Sequence, residues 1–203
     1  MKQVIEKINI YKFNELSNTA KENAKKQYLR LERDEKNFYL QCMEKVDKLF
    51  PNSNLELQYS LSSSQGDGVN IYDDLDLDNL LNCIKDKFNN KEYKTLKFYL
   101  DNYDSYYNLD YNNRYTYCKV KDAEIGNDLT YTMIYNLNFR NVNKQLIKKF
   151  DKLGKEFIKN LCDEFIKDGY KYFYEVSDDE IINADFWYTE NGDFYAYELE
   201  EEA

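Results

Sequence analysis

The feature that most limits the fold is a long helical period near the C-terminus. From about Val142, Leu146, Ile147, Phe150, Leu153, Phe157, Ile158, Leu161, Phe165 and Ile166 recur three and four residues apart. That spacing predicts an amphipathic helix of about 25 residues with one apolar face. Such a face must be buried against other elements, and the rest of the chain offers both kinds. Helical stripes run through Leu16, Ala20, Ala24, Tyr28 and Leu31, with a capping box at Thr19 to Glu22. Others run through Phe38, Tyr39, Cys42, Met43, Val46, Leu49 and Phe50, and through Leu77, Leu80, Leu81, Ile84 and Phe88. Pro51, the one proline, closes the second stripe.

Strand patterns stand between the helices. Residues 3–13 read as a strand with Val4, Ile8, Ile10 and Tyr11 inward. Leu55, Leu57, Tyr59 and Leu61 alternate, and Val69 and Ile71 resume after a glycine loop. That pattern predicts a hairpin whose glycines supply positive φ. Residues 93–139 read as Tyr-rich β structure, with alternation at Leu96, Phe98 and Leu100 and again at Tyr115, Tyr117 and Lys119. Ser177 to Glu180 has capping-box form and opens a short helix. A hairpin over Phe186 to Thr189 and Phe194 to Tyr197 turns at Asn191-Gly192. The expected fold class is α+β, an antiparallel sheet with amphipathic helices packed around it and one long helix near the C-terminus. No Pro-, Gly- or Ser-rich linker and no internal repeat divides the chain, so residues 1–203 read as a single domain.

Composition narrows the chemistry. The 203 residues include no histidine, which removes Ser-His-Asp and Cys-His nucleophile pairs and histidine metal sites. The four cysteines, Cys42, Cys83, Cys118 and Cys162, have no CxxC spacing and suit a reduced compartment. There is no secretory leader and no run of about 20 apolar residues, so a cytoplasmic protein is expected. The net charge is −10. That argues against direct nucleic-acid binding and against an anionic membrane, and favours a partner with a basic surface. No catalytic constellation is evident. Asp67 and Asp73 could serve as general acid and base, but nothing brings a substrate to them. No cofactor or metal is expected, and the chain reads as a non-enzyme.

Three segments carry candidate chemistry. In Ser62 to Gly68, backbone N–H groups could form an anion nest, with Ser63, Ser64, Gln65, Gly66, Asp67 and Gly68 as a ligand loop. No Lys-Ser/Thr follows it, Asp67 would repel phosphate, and a plain hairpin turn explains it as well. Asp74, Asp76 and Asp78 match the opening of a calcium loop. Asn79 and Lys85 then break the match, so an acidic helix N-terminus fits better. In residues 100–117, Asp101, Asp104 and Asp110 alternate with Tyr103, Tyr106, Tyr107 and Tyr111, while Arg114 is nearly alone. Carboxylates spaced like phosphates can imitate a nucleic-acid backbone. With Asp73, Asp74, Asp76 and Asp78 they make a candidate partner-binding set; an ordinary solvated hairpin is the plainer reading. Lys25-Lys26 and Lys148-Lys149 read as solvated helix faces.

The segments YKFNELSNTAKENAKKQYL (11–29), LELQYSLSSSQGDGVNI (55–71) and SDDEIINADFWYTENGDFY (177–195) together resemble a family of small bacteriophage and prophage accessory proteins with a Ser-Gln-Gly-Asp-Gly loop. Some members carry antitoxin-like labels. The matches fall at the beginning, middle and end, and residues 90–140 do not match. The resemblance implies a phage accessory protein acting in a bacterial cytoplasm, where small acidic chains without catalytic motifs often inhibit host defence, as anti-CRISPR proteins do. It carries over no catalytic residue. The expected function is an anti-defence inhibitor that docks on a nucleic-acid-handling host complex through an acidic, tyrosine-rich surface. A nucleotide or small-anion binder using the Ser62 to Gly68 loop is the alternative, and an antitoxin covering a basic toxin is a third reading.

Overall fold

A computed structural model describes residues 8–62, 67–101, 106–109 and 143–195, the segment 106–109 by its backbone alone. In chain order the elements are α1 (Asn18–Glu32), α2 (Glu35–Leu49), β1 (Asn54–Ser60), β2 (Gly68–Asp76), α3 (Leu77–Cys83), α4 (Asn90–Asp101), β3 (Tyr106–Leu109), α5 (Lys144–Tyr174) and α6 (Asp178–Ala184). Short 3-10 turns occupy Phe13–Glu15 and Lys85–Lys87. The fold is α+β, and its longest described helix is α5, near the C-terminus, as the apolar period requires. The chain divides into two compact units, residues 1–38 with 170–203, and residues 39–169.

The first unit packs Phe13, Leu16, Ala20, Ala24, Tyr28, Ile181 and Tyr188 into one apolar cluster. Ser17 caps α1 by accepting the Ala20 N–H at 3.2 Å, so the helix starts ahead of the capping box expected at Thr19 to Glu22. The earlier start lets Leu16 and Ala20 enter the same cluster. Leu31, expected in the stripe, lies in the last turn and is 58% exposed, because the packed face keeps a strict four-residue spacing through Ala20, Ala24 and Tyr28. The strand expected over residues 3–13 is also corrected in its described part. Only Tyr11 is paired, exchanging backbone hydrogen bonds of 2.8 and 2.9 Å with Tyr188, while Ile8 and Ile10 are 57% and 39% exposed. The reason is local: the Lys12 N–H binds the Glu15 carboxylate at 2.7 Å and turns the chain into the 3-10 turn. Val4 lies outside the described residues.

In its described part the expected C-terminal hairpin is present as single bridges; residues 196 and 197 lie outside the described residues. Tyr188 pairs with Tyr11 on one side and Phe194 on the other, and Gly192 takes φ +81° at the turn. A Cβ on Gly192 would meet the Ala20 carbonyl oxygen at 2.0 Å, so glycine is required both by conformation and by close approach. Ser177 caps α6 by accepting the Glu180 N–H at 3.2 Å. The second arm of that capping box is diverted, since the Glu180 carboxylate pairs with Arg33.

In the second unit β1, β2 and β3 form an antiparallel sheet in that order. β1 and β2 pair without a bulge from Asn54↔Asp74 to Ser60↔Gly68, which is the hairpin the alternation predicts. Gly68 belongs to β2 itself rather than to the turn. One sheet face buries Leu55, Leu57, Val69, Ile71 and Leu75. Helix α5 lies against this core. Its Gly154 sits where a Cβ would meet Leu80 of α3 at 2.8 Å, and Phe50 and Phe157 meet edge to face at 6.2 Å. The Cys162 thiol lies against the Ile71 backbone, and burial pushes its pKa up to about 12, as it does that of Cys42. Such thiols are inert packing groups at neutral pH.

The strand expected at Leu96, Phe98 and Leu100 is instead helix α4. Leu96, Tyr99 and Leu100 are buried and Phe98 is 55% exposed. Leu96 and Leu100, four residues apart, fit a helix as well as a strand, and the N-terminus decides between them. Asn89 accepts the N–H groups of Lys91 and Glu92 at 3.0 and 2.9 Å, and Glu92 accepts the Asn89 N–H at 3.0 Å, a closed capping box. The alternation at Tyr115, Tyr117 and Lys119 lies outside the described residues.

Candidate interaction face

The acidic run at Asp73 to Asp78 straddles the end of β2 and the start of α3. Asp76 is the N-cap: its carboxylate accepts the N–H groups of Asp78 and Asn79 at 2.7 and 3.2 Å. This fits an acidic helix N-terminus, and Asp76 is engaged with backbone rather than held open for an ion. Among the described residues no three His, Cys, Asp or Glu converge as metal ligands do. Asp73 has φ +77°, a left-handed conformation that aspartate tolerates better than most residues. Asp78 and Asp101 both reach Lys97 of α4, at 2.9 and 2.7 Å. These two hydrogen bonds, that of Asp101 first, hold the Lys97 ammonium well above its ordinary pKa.

The sheet joins the two acidic segments that the sequence keeps apart. β2 pairs with β3 through Asp73↔Leu109, Asp74↔Asn108, Leu75↔Tyr107 and Asp76↔Tyr106. The backbone of the tyrosine segment therefore runs directly beside the acidic run, and Asp101 approaches the same run through Lys97. On β1, Glu56 accepts the Tyr72 hydroxyl at 2.5 Å across the register. Glu56, Asp73, Asp74, Asp76, Asp78 and Asp101 thus lie at one end of the unit, where Lys97 bridges two of them. Glu56 and Tyr72 are not among the sequence candidates. Their signal is the hairpin itself, because once Ser60 faces Gly68 the register fixes Glu56 opposite Tyr72.

Of the partner-binding set, Asp73, Asp74, Asp76, Asp78 and Asp101 are brought together here. Tyr106 and Tyr107 are placed by backbone in β3. Tyr103, Asp104, Asp110 and Tyr111 lie outside the described residues, as does Arg114. Of the ligand loop, Ser63, Ser64, Gln65 and Gly66 also lie outside them. At its rim the Asp67 carboxylate accepts the Ser62 N–H at 3.0 Å and its hydroxyl at 3.2 Å. That carboxylate adds negative charge at the rim of the loop, which disfavours an anion there. No helix among the described residues is long and apolar enough to cross a membrane. The sequence matches no family model, and neither the characterised proteins nor the solved structures contain a match to it.

Proposed function

We propose that this chain is a non-catalytic binding protein, an anti-defence inhibitor of the phage accessory kind. It docks on a basic surface of a nucleic-acid-handling host complex through the acidic end of its sheet. The observation that supports this reading is the pairing of Asp73–Asp76 with Tyr106–Leu109, which sets the acidic run beside the tyrosine segment. Carboxylates gathered at one end of a unit project a negative potential that attracts Lys- and Arg-rich channels. Because several of these groups are fixed by the Asp76 cap, the Lys97 bridges and the Tyr72 hydroxyl, less ordering remains to be done on docking.

The test is capture of partners from bacterial lysate by tagged protein, eluted with rising salt. Release of one nucleic-acid-handling complex at moderate salt is expected. Replacing Asp73, Asp74, Asp78 and Asp101 with Asn, while leaving the Asp76 cap intact, should abolish that capture. Undiminished capture by the Asn variant would overturn the reading.

A further inference from the structure

The −10 charge is an average over unlike regions. Residues 85–97 carry five lysines against Asp86 and Glu92, and residues 144–155 carry five lysines against Asp151. These segments together contribute +7, so the remaining residues sum to −17. The fold sets the two basic segments side by side. Helix α4 runs antiparallel to the first turns of α5: Lys149 binds Glu92 at 2.9 Å, and the Tyr99 hydroxyl accepts the Asn143 N–H at 3.2 Å. Each acid of the two segments is taken by a lysine, Asp86 by Lys87, Glu92 by Lys149 and Asp151 by Lys155. The ammonium groups of Lys91, Lys94, Lys144, Lys148 and Lys152 have no acidic partner among the described residues, and all five side chains are exposed.

Nothing among the described residues accounts for that arrangement. Lys91 stands in the first turn of α4, at the positive end of the helix dipole. Lys144, Lys148 and Lys152 follow one another at four-residue spacing, where like charges repel. A groove of about 660 Å³ opens over the exposed stripe of α4, lined among the described residues by Asn90, Lys91, Lys94, Thr95, Phe98 and Tyr99. Phe98 is 55% exposed there, an aromatic surface flanked by cations.

We infer that the exposed lysines of α4 and of the first turns of α5, together the lysine face, bind single-stranded nucleic acid: Lys91 and Lys94 line the groove beside Phe98, which stacks on a base, and Lys144, Lys148 and Lys152 meet phosphates where the strand continues over α5. Charge complementarity favours a polyanion, and the aromatic within the groove favours one with unpaired bases. This binding neither rests on the acidic end of the sheet nor competes with it. It reverses the expectation of no direct nucleic-acid binding, which came from the chain-wide charge.

The test is fluorescence anisotropy of a labelled oligothymidine of about fifteen nucleotides with the full chain at low salt, repeated across a salt series. Binding that weakens as salt rises is expected. Lys94→Gln with Lys148→Gln should weaken it tenfold or more and flatten the log–log salt slope by roughly 0.7 for each phosphate no longer neutralised. Phe98→Ala should weaken the single strand about tenfold and spare a duplex of equal length. Circular dichroism would verify that the variants keep their helix content, and Asp74→Asn with Asp101→Asn should bind the oligonucleotide at least as well. Absence of binding at low salt, indifference to the lysine changes, or equal competition by a polyglutamate peptide would each overturn the inference.

Discussion

The acidic end of the sheet and the lysine face of α4 and α5 belong to one unit, and they hold their charges differently. At the acidic end, Asp76 is bound by two backbone N–H groups, Asp78 and Asp101 share Lys97, and Glu56 holds the Tyr72 hydroxyl. On the lysine face, five ammonium groups have no acid beside them among the described residues. Fixed charges give geometry and hence discrimination between partners, whereas unpaired ones give an affinity that depends on salt and little on sequence. Charge count alone does not separate the two, but the hydrogen bonds do.

The contrast can be broken most severely from beneath. Phe150 is fully buried and meets Phe88 at 6.3 Å under the lysine face. Phe150→Ala should cost about 3–5 kcal/mol in urea denaturation and diminish both faces together. A smaller change should separate them. Asp76→Ala removes the α3 cap and should cost about 1 kcal/mol, with capture of a basic partner reduced and oligonucleotide binding retained.

Acid titration sharpens the comparison further. The Lys149 ammonium, and then the Asn89 N–H, hold the Glu92 carboxyl below its ordinary 4.5. A carboxyl lowered in the folded state contributes stability that is complete above its unfolded value and is lost as pH falls through the folded one. Lys149→Met should therefore narrow the difference between urea midpoints measured at about pH 7 and pH 3. The smallest effect should come from Lys152→Ala, whose exposed side chain has no acidic partner among the described residues. Its unfolding free energy should stay within about 0.5 kcal/mol of the parent while the salt slope of oligonucleotide binding falls.

These features are unequally legible in the sequence. The α5 stripe is plain because it repeats over many turns, where a chance match is improbable. The β1–β2 hairpin is legible through alternation on both sides of its loop. Helix α4 reads as a strand because Leu96 and Leu100, four apart, fit either period and the exposed Phe98 between them completes an alternation, and the deciding signal is the Asn89-x-x-Glu92 box just ahead of them. Ile8 and Ile10 mislead for another reason: their polarity pattern is that of a strand, but Glu15 captures the Lys12 N–H and ends the extended run. The acidic residues can be named from sequence, while their convergence cannot, since it depends on β2–β3 pairing and on Lys97 reaching back to Asp78. The lysine face is hidden by averaging, because its two segments stand some fifty residues apart and come together only where α4 meets α5.

The close approach of Gly192 to the Ala20 carbonyl has a consequence for the order of events during synthesis. The cluster of Phe13, Leu16, Ala20, Ala24 and Tyr28 is completed by Ile181 and Tyr188, so its two halves leave the ribosome far apart in time. At roughly 5–20 residues per second, α1 waits on the order of ten seconds for its cover. Until then its apolar stripe lacks the Ile181 and Tyr188 side of the cluster, while residues 39–169 form a unit that does not need them. The first helix is therefore the last part of its unit to gain a complete apolar cover, and it gains it only once the Asn191-Gly192 turn can close on Ala20.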